Sequence, residues 1–246
     1  MLRHMTARCV SLFLFAVSLA PVSAQEPAAQ MDMSLLAELK ARAIGPAVVG
    51  GRIGAVAGVA GDPRIIWAGA AAGGIWKSTD GGVTFEAIFE DQPVASIGAI
   101  AINQEATDIV WVGTGEGNPR NSASVGRGMY RTVDGGRSWT KLGLDKTERI
   151  HRILLHPEDA QTAWVSAFGT SWGENAERGV FKTTDGGATW QKILFVDERT
   201  GCSDLIIDPR NPDKLFASMW QHRRWPWSFK SGGPGSGLYR TLDGGT

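Results

Sequence analysis

The chain has 246 residues, of which 43% are hydrophobic and 20% charged, and its 25 basic side chains balance its 25 acidic ones. That length and apolar content support a sizeable core. A formal net charge of zero excludes a global pull towards nucleic acid or an anionic membrane surface. With 32 glycines and 10 tryptophans, and no enrichment in Leu, Glu or Lys, the composition favours short strands and tight turns over helices.

At the N-terminus, Arg3 and Arg8 precede an apolar run over residues 9–20, and Val22-Ser23-Ala24 stands before Gln25. These are the three parts of a secretory signal peptide. Residues 1–24 are therefore expected to be cleaved after Ala24, and the mature protein to be secreted or periplasmic. Crossing a bilayer takes roughly 20 apolar residues, more than this run supplies, so no stable membrane insertion is expected. Without the leader the balance is 23 basic to 25 acidic residues, and Cys202 alone remains of the cysteines, which leaves no intrachain disulfide. Residues 25–47 form an N-terminal segment ahead of the repeats, with a short helical pattern at 33–40.

One octapeptide then recurs. It stands at residues 78–85 (Ser-Thr-Asp-Gly-Gly-Val-Thr-Phe), 132–139 (Thr-Val-Asp-Gly-Gly-Arg-Ser-Trp) and 183–190 (Thr-Thr-Asp-Gly-Gly-Ala-Thr-Trp), with an incomplete copy at 241–246. Its acids Asp80, Asp134, Asp185 and Asp243 are 54, 51 and 58 residues apart. Periods near 50 suit a four-stranded propeller blade and are too long for most helical solenoids. Each copy reads as a hairpin turn: the carboxylate accepts backbone N–H groups, glycine supplies positive φ, and the Ser or Thr two residues earlier adds a local bond. The four aspartates are thus expected to be structural. The aromatic five residues after the Asp is expected to start the next strand and pack between blades. A calcium-loop reading fails, because the further oxygen ligands at alternating positions are lacking.

The expected fold is an all-β propeller of four-stranded blades over 48–246, with blades at about 48–90, 91–145, 146–196 and 197–246. Inner strands are expected at 97–102, 150–155 and 205–207, and second strands at the aromatics Trp67, Trp111, Trp164 and Phe216. The last turn stops short of its aromatic, so about three and a half blades are present and the ring is expected to be completed in a longer protein. From each Asp to the next blade's aromatic the spacing holds at 31, 30 and 31 residues, whereas from aromatic to following Asp it is 13, 23, 21 and 27. The variation therefore sits between second and third strands, at the end facing away from the Asp turns. Variable loops on a rigid repeated scaffold are where binding usually resides.

The four copies, each introduced by Gly-apolar-aromatic-Lys/Arg, resemble the Asp-box or bacterial neuraminidase repeat. Propellers with this box include sialidases, two-propeller xyloglucanases, sortilin-type peptide receptors and photosystem assembly factors. The opening Ile44-Gly45-Pro46 followed by Gly50-Gly51-Arg52-Ile53 resembles that of secreted bacterial proteins classed as sortilin-like or glycosyl-hydrolase-like. A sialidase would need a tyrosine nucleophile paired with a glutamate, but Tyr130 and Tyr239 share one repeat position and read as packing residues. An inverting glycosidase needs two carboxylates roughly 6.5–9.5 Å apart. The xyloglucanase resemblance implies an acid shortly before a Gly-Gly pair in an early blade, where this chain has Ala70-Ala71-Ala72-Gly73-Gly74. Glu116 and Glu174 remain as acids that could supply one partner.

No metal-ligand spacing links the histidines, no cofactor is expected, and Cys202 reads as a small buried side chain. What remains is a recognition surface. It comprises Glu116, Asn118, Arg120 and Asn121 in the second-blade loop, and Trp172, Glu174, Asn175 and Arg178 in the third. The fourth loop supplies Trp220, His222, Arg223, Arg224, Trp225 and Trp227. Rigid aromatics beside Arg and Asn are the types that dominate binding hot spots. The leading expectation is a sortilin-like binding module for a peptide or carbohydrate ligand, with a glycoside hydrolase whose second carboxylate lies elsewhere as the alternative.

Overall fold

The computed structural model describes residues 52–245; the expected signal peptide and the whole of the N-terminal segment 25–47 lie outside them. Each of the first three Asp-Gly-Gly turns sits between two antiparallel strands, the fourth follows a strand, and the chain builds four sheets in sequence order. The first contains β1 (Ile53–Val59), β2 (Asp62–Ala70), β3 (Ile75–Ser78) and β4 (Glu86–Ala87). The second contains β5 (Ile97–Ile102), β6 (Val110–Thr114), β7 (Met129–Thr132) and β8 (Thr140–Lys141). The third contains β9 (Ile150–Leu155), β10 (Ala163–Ala167), β11 (Gly179–Thr183) and β12 (Gln191–Leu194). In the fourth, β13 (Thr200–Asp208) pairs β14 (Asn211–Trp225), which pairs both β15 (Ser228–Ser231) and β16 (Gly237–Thr241). The architecture is an all-β propeller series.

The inner strands β1, β5, β9 and β13 lie side by side in that order. β6 and β10 are buried along their whole length, which is why their sequences read as continuous apolar runs rather than alternating ones. Close approach fixes some glycines: a Cβ on Gly98 would stand 2.2 Å from both the Gly115 and Ile150 carbonyl oxygens.

The Asp turns are hydrogen-bonded as the octapeptide implies. Asp134 accepts from the Thr132 hydroxyl (2.7 Å), the Ser138 amide (2.9 Å) and the Ser138 hydroxyl (2.6 Å), while Thr132 Oγ1 accepts the Gly136 N–H at 2.9 Å. Asp80 and Asp185 repeat the pattern, and Asp243 accepts from Thr241 and from the Gly245 amide. Gly135 and Gly136 take φ of 71° and 96°, the left-handed region that glycine enters without a Cβ clash. Bonds led by the Thr84 and Thr189 hydroxyls hold Asp80 and Asp185 down at about 2, and those from Ser138 and Thr132 keep Asp134 well below the usual carboxylate range.

The same turns clasp neighbouring sheets. Lys77 lies 4.9 Å from the Trp67 ring and donates to the Gly135 carbonyl at 2.9 Å. Arg131 lies 5.0 Å from the Trp111 ring and reaches the Gly186 carbonyl at 3.3 Å. At the third junction Lys182 still covers Trp164, at 5.6 Å, but the Trp164 indole N–H itself donates to the Gly244 carbonyl, at 3.0 Å. The first glycine after the Asp is the acceptor each time. The tryptophans after the second and third turns reach back, Trp139 donating to the Ile88 carbonyl at 2.8 Å and Trp190 to that of Leu142 at 2.7 Å. Their rings meet Trp67 and Trp111 edge-on, each pair at 6.3 Å. Phe85, after the first turn, is exposed rather than packed between sheets as expected. Tyr130 is buried and packs edge-on against Phe89 at 5.3 Å.

Candidate ligand-binding site

Because consecutive strands are antiparallel, the connections between second and third strands lie opposite the Asp turns. In the first three sheets they are loops, of which 115–128 and 168–178 are the long ones. The fourth differs from the expected loop. β14 runs on past the sheet, and residues 222–225 pair with 228–231 to make a projecting ribbon. Trp220, His222, Arg223, Arg224 and Trp225 are therefore strand residues, and only Pro226 and Trp227 form the turn.

Two buried guanidiniums shape the 168–178 loop. Arg178 donates to the carbonyls of Phe168 (3.1 Å), Gly173 (2.9 Å), Arg199 (3.3 Å) and Thr170. Arg149 donates to Gly169 O at 3.2 Å and pairs with Glu148 at 3.3 Å. A charged group taken out of water needs such bonds, and burial still pulls Arg178 down to about 10.

The ribbon is tied across this loop to the second blade. The Arg224 amide donates to Ser171 O at 2.8 Å, its guanidinium donates to Pro119 O at 2.8 and 3.1 Å, and the Asn121 amide reaches Pro226 O at 3.4 Å. Beneath it, His222 is buried and stacks on Phe168 at 4.0 Å with an interplanar angle of 14°, flanked by Trp220. Burial, with the Arg178 and Arg149 charges nearby, pushes His222 down to about 4, so the imidazole is neutral near pH 7.

Between ribbon and loop lies a cavity of about 540 Å³, walled by Glu174 and Arg199 on one side and by His222, Arg223, Trp225 and Lys230 on the other. Of the recognition residues expected from sequence, Glu174, His222, Arg223 and Trp225 meet here. Asn118, Arg120, Trp172 and Trp227 are exposed away from the cavity lining, and Asn175 is committed to the backbone, donating to Lys146 O at 3.1 Å and accepting the Glu177 N–H at 2.6 Å. Arg199 and Lys230 were not foreseen. Arg199 had a readable signal: like Arg52 and Arg149 it immediately precedes an inner strand.

The two candidate acids are both engaged by such arginines. Glu116 is 1% exposed and holds Arg52 bidentately at 2.8 and 2.5 Å, and Glu174 accepts from Arg199 at 2.8 Å. Among the described residues no cluster of three or more His, Cys, Asp or Glu side chains is placed to hold a metal.

Comparison with known proteins assigns the chain to a family. The profile described as Sortilin-Vps10, sortilin, neurotensin receptor 3, matches residues 73–203, which is more than half of the chain. The chain belongs to the Sortilin-Vps10 family. This Sortilin-Vps10 chain is also 27% identical over 231 residues to a xyloglucanase of Hypocrea jecorina, a match covering 82% of the chain and 26% of that protein. A xyloglucanase of Acetivibrio thermocellus is 28% identical over 205 residues, covering 75% of the chain and 23% of that protein. The chain thus spans about a quarter of the length of these curated relatives. Among solved structures, an ancestral GH74 enzyme superposes with a TM-score of 0.59 at 18% identity, covering 80% of this chain and 23% of that one. The GH74 enzyme of Niastella koreensis gives 0.57 at 21%, covering 80% and 28%. At those identities the likeness establishes the shared propeller fold. Among the described residues no helix is long and apolar enough to cross a membrane.

Proposed function

We propose that this chain is part of a secreted or periplasmic propeller that binds a peptide or glycan in the cavity between the 168–178 loop and the ribbon, without catalysis of its own. The observation that carries this reading is the construction of the cavity. Its walls are pinned by backbone acceptors to Arg178 and Arg224, while the acids of the same face are already held by Arg52 and Arg199. A preorganised pocket with an aromatic wall suits recognition. Each of those acids is already engaged in an ion pair, at 2.5 Å for Glu116 and 2.8 Å for Glu174.

The test is an array of peptides and neutral and charged oligosaccharides probed with the chain and with its Trp225→Ala variant. Ligands should be retained by the first and lost by the second. Absence of any hit, or hits indifferent to Trp225, refutes the reading. Glycoside hydrolysis is the second reading, favoured by the 27% identity to a xyloglucanase. Release of new reducing ends from xyloglucan by the purified chain would establish it.

A further inference from the structure

The charges around the cavity do not balance. Arg223 and Lys230 face each other directly across the ribbon, and like charges in opposed cross-strand positions destabilise a hairpin. Neither makes an ion pair among the described residues. Arg223 Nε is buried with no hydrogen-bond partner there, and its guanidinium lies 5.3 Å from the Trp225 ring. Behind them Arg178 is fully buried, and the groups it bonds are backbone carbonyls. In a poorly solvated wall that charge is screened far less than at the surface. Against these cations the cavity wall offers one acid, Glu174, which is held by Arg199 at 2.8 Å.

We propose that the cavity selects a carboxylate-bearing saccharide, whose carboxylate bridges Arg223 and Lys230 while its ring lies at the Trp225 wall. This rests on the binding-module reading above. Two features favour an acidic sugar over an acidic peptide. The cation pair and the indole share one wall, so charge and ring are recognised together. The space, about 540 Å³, is that of a pocket for a small molecule, which typically runs ~300–1,000 Å³.

Calorimetric titration of the 246-residue chain with trigalacturonate, with its carboxyl-reduced neutral counterpart and with hexaglutamate tests this. Trigalacturonate should bind, and binding should weaken about tenfold or more on raising salt from about 50 to about 300 mM, where the Debye length shrinks to a few ångströms. Arg223→Gln and Lys230→Gln should each weaken it to a similar degree. Thermal melts check folding, and the exposed Lys230 keeps the test decisive if the Arg223 variant is unstable. The proposal is overturned by equal binding of the neutral sugar, by binding that ignores both substitutions, or by binding of hexaglutamate alone. In those cases the binding-module reading stands. Failure of all three probes beside a Trp225-dependent hit on the array also overturns only the acidic sugar; failure of probes and array together overturns both.

Discussion

Trp67 and Trp164 occupy the same place in their sheets, both at most 1% exposed and both covered by a lysine, yet their indole N–H groups fare differently. That of Trp164 donates to Gly244 O at 3.0 Å, whereas that of Trp67 is buried without a partner among the described residues. The reason is local: the acceptor equivalent to Gly244 O is Gly135 O, and Lys77 has taken it. Replacing either tryptophan by phenylalanine removes the same atoms and a similar packed area. At position 67 it also deletes an unsatisfied donor, while at 164 it breaks a buried bond and orphans a carbonyl. A buried bond lost with one partner left behind costs about 1–3 kcal/mol. Trp164→Phe should therefore be less stable than Trp67→Phe by that amount. For a chain of this size each kcal/mol moves the melting temperature by about 2–4 °C, so the two melts should separate by about 2–12 °C. Urea unfolding of both variants measures the same difference, provided the m-values agree. Equal midpoints, or a less stable Trp67→Phe, would refute the assignment of the bond.

The Asp turns predict an acid limit. Asp80 and Asp185 sit at about 2 in the fold against 3.8 in a free chain, so their stabilisation is complete above that value and is lost as the pH falls through about 2. Urea midpoints between pH 5 and 2 should show the loss, and a double Asn variant that kept the full wild-type slope would sink the idea. His222 acts in a higher window: neutral in the fold down to about 4 but titrating near 6.5 when unfolded, it removes stability as the pH drops from 6.5 to 4. His222→Phe should flatten that part of the melting profile, leaving the contribution of His151, which burial also lowers; an unchanged slope counts against it. The Cys202 thiol is buried and pushed up to about 12, so a thiol reagent at neutral pH should label it only after unfolding, and fast labelling of the native chain would contradict its burial. Trp227, 82% exposed at the ribbon turn, should tolerate Trp227→Ala within about 0.5 kcal/mol; a melt lowered by many degrees would mean that the turn is packed.

The repeat was legible because its chemistry is local. Ser or Thr, Asp and two glycines close a turn among themselves, so their spacing gave the sheets, and apolar density placed residues 97–102 and 150–155 on the strands β5 and β9 that the structure shows. Phase was lost where a strand has no apolar face. Residues 220–225 put Trp, His and Arg on one side of the ribbon and Gln, Arg and Trp on the other, which leaves no two-residue hydrophobic period to read. The clue available was Pro226 flanked by two tryptophans, a turn between short runs. The cavity was half legible for another reason. Arg199 and Lys230 come from elements that meet only in the folded chain, and the Arg52–Glu116 and Arg199–Glu174 pairs span 64 and 25 residues.

The clasps between sheets use a main-chain oxygen as acceptor, and this bears on how such a chain diverges. A side chain paired with a side chain can change only if its partner changes too. A carbonyl is present whatever residue carries it, so Lys77, Arg131 and Trp164 can each serve the first glycine of the next turn without any coordinated replacement. The junctions are thereby freed from covariation, and only the glycine's backbone conformation must persist. Within this one chain the donor already differs from junction to junction, a lysine, an arginine and an indole each serving the same glycine position, while the loops at the opposite end take no part in the clasp.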